Sequence, residues 1–414
     1  MLTAVLLWGF ALLLPLAWRY VAVLRSVPAP KRRQSDTPLR VCVVLGSGGH
    51  TSEMMRVVSA LKMDVWKDHR PFYVVSSTDS HSAEQAVEFE RRNFGRYCWL
   101  HVIPRARGVG ESYFVSIFKT LYALWWSIFL VFREKPDLIL VNGPGVCVPV
   151  VVAALLMAMF SPSWYYCRPA VVFIETYSSV SHMSVSGSLL GPLSDVCVVQ
   201  WSKLYEKYRS MWWWKNANLK YLGTKQSSEN YAKRPTVSEQ EPTSVEKADG
   251  SGLMALVTVG STQFTSLIEA MDDEEVLKTL AKRGFTRLLV QKGTTPYVNK
   301  VHAAHGVSVE VFTYRPNLHK VIQEAALVIS HAGAGTTLEV LECKKPMIAV
   351  PNRTLMLDHQ LEFAEALSTE GYIYCVQVSD IRRELQTLDL GALRVFPGTD
   401  ITELRRLLLP VFSI

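Results

Sequence analysis

Two Rossmann-like, doubly wound α/β domains facing a cleft, preceded by a transmembrane helix, are the architecture expected of this 414-residue chain. Three features point to it. Short Val/Ile/Leu-rich runs alternate with helical patterns over 39–222, the alternation resumes at 252 after a polar interval, and residues 2–18, LTAVLLWGFALLLPLAW, carry no charge. Strands that are apolar without alternation are buried on both faces, which requires a parallel sheet covered by helices.

The N-terminal apolar run continues to Leu24 with Arg19 as its one charge, long enough for a bilayer core that takes about 20 apolar residues. Arg19 lies near one end, where its side chain can snorkel to the interface. A cleaved signal peptide carries basic residues before its apolar core, whereas Arg19, Arg25, Lys31, Arg32 and Arg33 all follow it here. Residues 1–38 are therefore read as a retained anchor with a basic flank, and the positive-inside rule puts the remainder in the cytosol. Residues 146–160 are also uncharged, but they are too few to span and follow a glycine-proline turn, so they are expected to form a buried helix. Residues 113–132 hold Lys119 among many aromatics and either pack on the core or rest in a bilayer interface.

In the first domain, 39–222, the clearest strands are RVCVVLG, FYVVSS, DLILVNG, AVVFIET and DVCVVQW. Residues 223–251 hold almost no aliphatic side chains and many Ser, Thr, Glu, Lys and Pro, the composition of a flexible linker. The second domain, 252–414, has strands at ALVTVGS, RLLVQKG, VSVEVFTY, LVISHAG, MIAVP and YIYCV, and its amphipathic end DITELRRLLLPVFSI is suited to folding back on the first domain. Ligands of such sheets bind at the carboxyl ends of the strands.

A formal charge of +7 with 49% hydrophobic residues suits an anionic lipid surface or phosphate-bearing ligands. The arginine-rich tracts of a nucleic-acid binder are missing, so no nucleic-acid partner is expected. The seven cysteines are scattered and form no C-x-x-C pair, which reads as reduced thiols without a disulfide framework or zinc site.

The glycine turns carry the chemistry. In VISHAGAGTTLEVLECKKPMIAVP, 328–351, a strand ends at Ser330, a turn of small residues containing Gly333 and Gly335 follows, and a helix starts near Thr336. A diphosphate can approach such a backbone and meet the amides and positive dipole of the helix. Glu339 on that helix can accept from both hydroxyls of a ribose. TVGSTQF, 258–264, supplies a second junction with Gly260 and Ser261, and LDHQ, 357–360, places Asp358, His359 and Gln360 at the start of another helix. Gly260, Ser261, Gly333, Gly335, Glu339, Asp358 and Gln360 form the candidate donor site, with His331 and His359 in support. No Walker A motif occurs in it. In the first domain VCVVLGSGGHTSEMMRVV, 41–58, sets Gly46, Ser47, Gly48 and Gly49 before His50, but Thr51 stands where the dinucleotide fingerprint has its third glycine, which weighs against NAD.

Residues 1–222 resemble the Alg14 family through LGSGGHTSEM, RARGVGESY, PDLILVNGPGVCVPV, FIETYSSV, LSDVCVVQW and KYLG. Residues 253–414 resemble the Alg13 family through VTVGSTQF, VISHAGAGTTLEVLE and DHQLEFAEAL. The chain reads as a fusion of the two. The resemblance implies a GT-B glycosyltransferase distantly similar to MurG, with the acceptor handled by the first half and the sugar nucleotide by the second. It implies transfer of GlcNAc from UDP-GlcNAc to GlcNAc-PP-dolichol, β-1,4 with inversion, as the second step of lipid-linked oligosaccharide synthesis for N-glycosylation. It also implies the cytosolic face of the endoplasmic reticulum membrane, and a C-terminal helix that docks on the Alg14-like half. Two departures bear on acceptor geometry: Ser52 replaces a glycine usual in the Alg14-type motif, and the segment after FIE reads ETYSSV.

Inverting transfer needs a base for the acceptor 4-hydroxyl. His50 leads, because imidazole titrates near neutrality unperturbed, and the alternative is that it hydrogen-bonds the turn or a phosphate. Glu175, ending VVFIET, is the rival base, or else a structural carboxylate. Gly46, Ser47, Gly48 and Gly49 suit the pyrophosphate of the lipid acceptor or the donor diphosphate. Arg105 and Arg107 can neutralise a lipid phosphate or form a solvated surface, and Gly143 and Gly145 form a further turn of site or packing character. Helix dipoles can stabilise departing UDP, so no metal and no tightly bound cofactor are expected beyond UDP-GlcNAc as substrate. The competing readings are another membrane GT-B transferase of MurG or glycolipid type, and a non-catalytic membrane scaffold.

Overall fold

The computed structural model describes residues 16–29, 38–61, 63–106, 112–214, 218–223, 252–260, 262–298, 300–313, 315, 318–352 and 359–412. The chain divides into two compact units, the first of residues 1–176, 181–222 and 400–414, the second of 177–180 and 223–399. The proposed linker after Gly223 and the apolar run up to residue 15 lie outside the described residues.

In the first unit β1 (Arg40–Val44), β2 (Arg70–Ser76), β3 (Trp99–Ile103), β4 (Leu138–Val141), β5 (Ala170–Ile174), β6 (Val196–Val199) and β7 (Leu219–Tyr221) form one parallel sheet in the order β3-β2-β1-β4-β5-β6-β7. Every residue of β4, β5 and β6 is buried, because helices cover both faces. Alternate residues feed different cores: Val41 and Val43 join one apolar cluster, Cys42 and Val44 the other. The edge strands β3 and β7 are largely exposed or half-buried, and sequence patterning did not separate them from their surroundings.

The helices that shape the site are α1 (Gly49–Ala60), α2 (Tyr113–Glu134), α3 (Cys147–Phe160) and α4 (Val185–Leu190). The apolar run after the glycine-proline turn is α3, a core helix with Cys147, Val150, Val151, Ala153 and Ala154 fully buried. Arg19 sits on a helix over 16–24 and donates to the carbonyls of Ala158, Met159 and Ser161 at 3.1, 3.0 and 3.1 Å. It thus closes the end of α3, satisfying carbonyls a helix leaves unpaired, in place of the expected snorkelling to an interface.

Helix α2 is long and apolar enough to cross a membrane. It nevertheless joins β3 to β4, which lie in one sheet, so crossing would put strands of that sheet on opposite sides of a bilayer. One face, with Ala123, Ser127, Leu130 and Val131, is buried on the unit. The other bares Phe114, Phe118, Trp125 and Phe129, each at least 60% exposed.

In the second unit β8 (Leu253–Thr258), β9 (Phe285–Gln291), β10 (Ala303–Ala304), β11 (Val307–Phe312), β12 (Leu327–Ser330), β13 (Met347–Ala349) and β14 (Tyr374–Cys375) form a sheet in the order β10-β11-β9-β8-β12-β13-β14. It is parallel except for β10, whose antiparallel pairing with β11 turns at His305 and Gly306, with φ of 53° and 82°. Two successive positive φ angles make the tight hairpin that parallel patterning does not foresee. Its helices include α5 (Leu318–Glu324), α6 (Ala334–Glu342) and α7 (His359–Thr369).

The last helix, α8 (Ile401–Leu408), belongs to the first unit, so the second unit ends at Thr399 rather than at the C-terminus. Leu404, Leu408, Val411 and Phe412 enter the cluster built on Val41 and Val43, and Phe412 stacks on His69 with ring centroids 5.5 Å apart. The guanidinium of Arg405 donates to the carbonyl of Ala60. None of the seven cysteines is joined in a disulfide, four of them are buried, and burial pushes the Cys147 thiol up to about 12.

Candidate functional sites at two topological switch points

Each sheet reverses its strand order beside its first strand. In the first unit β1 lies between β2 and β4, and in the second β8 lies between β9 and β12. The connections then diverge to opposite faces and open a crevice at the carboxyl ends. The glycine turns singled out from the sequence sit at these positions.

In the first unit the turn after β1 leads into α1. Gly48 has φ 65°, the left-handed conformation that glycine adopts freely, and precedes the first helical residue. A Cβ on Gly46 would lie 2.2 Å from the Pro144 side chain, so Gly46 is required for close packing of the turns after β1 and β4. Thr51, only 1% exposed, reaches back to the carbonyl of Gly46 and to Ser82 Oγ, whose hydroxyl meets Asp79 at 2.6 Å. Threonine at that position pins the turn from below, which no third glycine could do. Ser47 and Gly48 are exposed, and the first amides of α1 have no intrahelical acceptor. An anion fits there.

His50 is the second residue of α1. Asn142, at the end of β4, donates to its carbonyl at 2.7 Å. Its imidazole packs where a side chain on Gly143 would be, with Cε1 3.0 Å from that Cβ position. Nδ1 of His50 faces Oε2 of Glu53 at 3.8 Å, and the other Glu53 oxygen accepts from the Thr176 hydroxyl at 2.9 Å. Gly143 thus makes room for His50, while nothing lies within 4 Å of a Cβ on Gly145, which has no steric need for glycine.

Glu175 is placed differently from the base it was considered to be. It is 1% exposed, Oε1 accepts from the Thr176 amide at 3.0 Å, and Oε2 accepts from the Ser184 amide at 3.0 Å and hydroxyl at 3.1 Å. Ser184 caps α4. A carboxylate held by the Thr176 amide through one oxygen and by the cap of α4 through the other is a structural acceptor, and Gly187 is required beside it because a Cβ there would lie 2.1 Å from Oε2. Arg105 follows β3, two strands from β1, and donates to Thr78 Oγ1 at 3.3 Å. Arg107 lies outside the described residues.

In the second unit His331, at the end of β12, forms a floor under two glycine turns. A Cβ on Gly260, which has φ 60°, would lie 2.9 Å from its ring, and one on Gly333 would lie 2.3 Å from Nε2. Burial lowers its pKa to about 4, so the ring is neutral near pH 7. Gly333 is the N-cap of α6 and Gly335 is buried in the first turn. Farther along α6, Glu339 keeps 30% of its side chain exposed, and Oε1 lies 3.1 Å from Nδ1 of His319 on α5. On α7, Gln360 holds a buried Oε1 with no hydrogen-bond partner among the described residues. Ser261, Asp358 and the His359 side chain lie outside the described residues.

Sequence reasoning missed Thr51, Glu53, Asn142 and Thr176, and in the second unit the pair of Thr258 and Gln291, joined at the ends of β8 and β9. The available signal was a polar residue closing an apolar strand, as in LVNG, LVTV and LVQKG. Among the described residues, no group of three His, Cys, Asp or Glu is placed to hold a metal ion.

Residues 41–217 match the family described as "Oligosaccharide biosynthesis protein Alg14 like", and residues 254–401 match "Glycosyltransferase family 28 C-terminal domain". The UDP-N-acetylglucosamine transferase subunit ALG14 of Rattus norvegicus is 40% identical over 207 residues, covering 48% of this chain and 90% of that protein. The UDP-N-acetylglucosamine transferase subunit ALG13 of Homo sapiens is 42% identical over 120 residues, 29% of this chain and 11% of that much longer protein. The structure is similar to Acinetobacter baumannii MurG, with TM-score 0.57 at 18% identity over 91% of this chain and 99% of that one, which shows a GT-B fold. The chain therefore belongs to the Alg14 family and carries, in the same polypeptide, the C-terminal domain of a family 28 glycosyltransferase.

Proposed function

We propose that this chain transfers N-acetylglucosamine from UDP-GlcNAc to the 4-hydroxyl of GlcNAc-PP-dolichol, β-1,4 with inversion, at the cytosolic face of the endoplasmic reticulum membrane. The observation that carries the proposal is the pair of glycine turns at the two switch points, each opening a helix, with His50 at one and Glu339 at the other. Relatives named as the two subunits of a UDP-N-acetylglucosamine transferase match the two halves of this one chain.

In this reading the second unit holds the donor. The amides opening α6 and the turns over neutral His331 receive the diphosphate, and Glu339 accepts from the ribose hydroxyls. The first unit holds the acceptor, with its pyrophosphate at the turn from Gly46 to Gly49. His50 takes the proton of the 4-hydroxyl as that oxygen bonds to the anomeric carbon. The bond from that carbon to the UDP oxygen breaks from the opposite face, and its electron pair leaves with UDP, stabilised by the α6 amides. A positioned base contributes roughly 10²- to 10⁴-fold. No tightly bound cofactor is required by these steps.

A lipid acceptor calls for membrane contact. The apolar N-terminal run, tied to α3 through Arg19, and the bared aromatic face of α2 support an anchored unit with α2 lying in the plane of the bilayer interface.

The test is transfer from labelled UDP-GlcNAc to a short-chain GlcNAc-PP-lipid by membranes expressing the chain. A chitobiosyl-PP-lipid product is expected. Binding of UDP-GlcNAc without product on this acceptor would contradict the proposal.

A further inference from the structure

We propose that Glu53 is a positioning residue that fixes the tautomer of His50. The inference rests on the transferase reading for its kinetic consequence and on geometry for the rest. Nδ1 of His50 is buried without a hydrogen-bond partner among the described residues, and the charged group facing it is Oε2 of Glu53 at 3.8 Å. The two residues lie three apart on α1, where side chains share a face. The pair is slightly longer than a hydrogen bond, as is common before a substrate closes a site.

The orientation of the carboxylate is set from a third strand. Thr176, 4% exposed after the end of β5, donates its hydroxyl to Oε1 at 2.9 Å, which turns Oε2 toward the imidazole. The ring is held from the β4 side, with Asn142 on its backbone carbonyl and Gly143 against Cε1. A buried carboxylate presented to Nδ1 favours the tautomer with the proton on Nδ1. Nε2 then carries the lone pair that takes the acceptor proton, and the carboxylate stabilises the imidazolium that results. This is the role a buried acid plays behind a histidine base in other enzymes. The sequence marks it by Glu53 alone, three residues after the histidine.

In Glu53→Gln the Thr176 hydroxyl retains the amide oxygen, so the amide NH₂ faces Nδ1 and the proton moves to Nε2. The transfer assay is run on the full chain as wild type, Glu53→Gln, Glu53→Asp, His50→Ala and the His50→Ala/Glu53→Gln double variant. The tautomer of His50 is read by ¹⁵N NMR of histidine-labelled protein, its signal assigned by loss in His50→Ala. The expected result is a kcat reduced on the order of 10²-fold in Glu53→Gln with KM for UDP-GlcNAc unchanged, partial recovery in Glu53→Asp, and no further loss in the double variant. Wild-type His50 should carry its proton on Nδ1, and Glu53→Gln should move it. A wild-type proton on Nε2, or a Glu53→Gln loss that persists in the His50→Ala background, would overturn the proposal. If the tautomer shift occurs but no form of the chain transfers GlcNAc, the His50–Glu53 pair stands and the transferase reading falls.

Discussion

His331 fills the space that a side chain on Gly333 would need: a Cβ there would lie 2.3 Å from Nε2 of the buried ring. The imidazole and the glycine are one unit of design, in which the ring supports a turn whose amides stay open to an anion.

Gly333→Ala should therefore strain the turn, at a cost of about 1–3 kcal/mol for overpacking a filled site. UDP-GlcNAc affinity measured by calorimetry should fall at least tenfold, while Gly145→Ala, with open space around its Cβ, should leave stability within about 0.5 kcal/mol.

The same burial makes the second unit sensitive to acid. His331 has a folded pKa lowered to about 4, against about 6.5 when unfolded, so below pH 6.5 the unfolded chain binds a proton that the folded chain refuses. The stability from keeping His331 neutral is fully present above pH 6.5 and is lost as pH falls toward 4, about 3 kcal/mol in all. Denaturation midpoints followed from pH 7 to 4.5 should drop, and His331→Gln should flatten that drop.

Arg168 and Asp195 form a paired contact at 2.7 Å through both oxygens, with the arginine side chain 4% exposed. Arg168 also donates to the carbonyl of Ser26 and Asp195 accepts from the amide of Val171, so the pair joins the N-terminal segment to the sheet. Asp195→Ala leaves a buried guanidinium unpaired and should destabilise the first unit by about 3–5 kcal/mol, measured by urea unfolding.

The bared face of α2 predicts a split between two acceptors. Trp125→Glu with Phe129→Glu should lower transfer to a long-chain acceptor in vesicles at least tenfold, since each aromatic contributes about 1.5–3 kcal/mol when buried. Transfer to a short-chain acceptor in detergent should persist. Equal loss on both acceptors would assign the face to the fold.

Much of this was legible in the sequence because buried parallel strands announce themselves by composition. RVCVVLG and LVISHAG became β1 and β12, and their glycines lie at the switch points. The edge strands β3, β7 and β10 did not, because β7 and β10 are only three and two residues long and β3 is interrupted by His101 and largely exposed. The candidate site was legible at its glycines and at His50, residues whose type is tied to a turn or to a titration. It was not legible at Thr51, Asn142 and Thr176, whose roles depend on which strand ends become neighbours. Glu175 shows the converse: a carboxylate ending a strand reads as a base until the Thr176 amide occupies one oxygen and Ser184, nine residues away, occupies the other.

The most direct test of the account is the transfer reaction with His50→Ala and Glu339→Ala beside wild type, kcat and donor KM being measured separately. The account predicts that His50→Ala lowers kcat by roughly 10²-fold or more with donor KM intact, and that Glu339→Ala raises donor KM at least tenfold. Full turnover by His50→Ala, or an unchanged donor KM in Glu339→Ala, would contradict it.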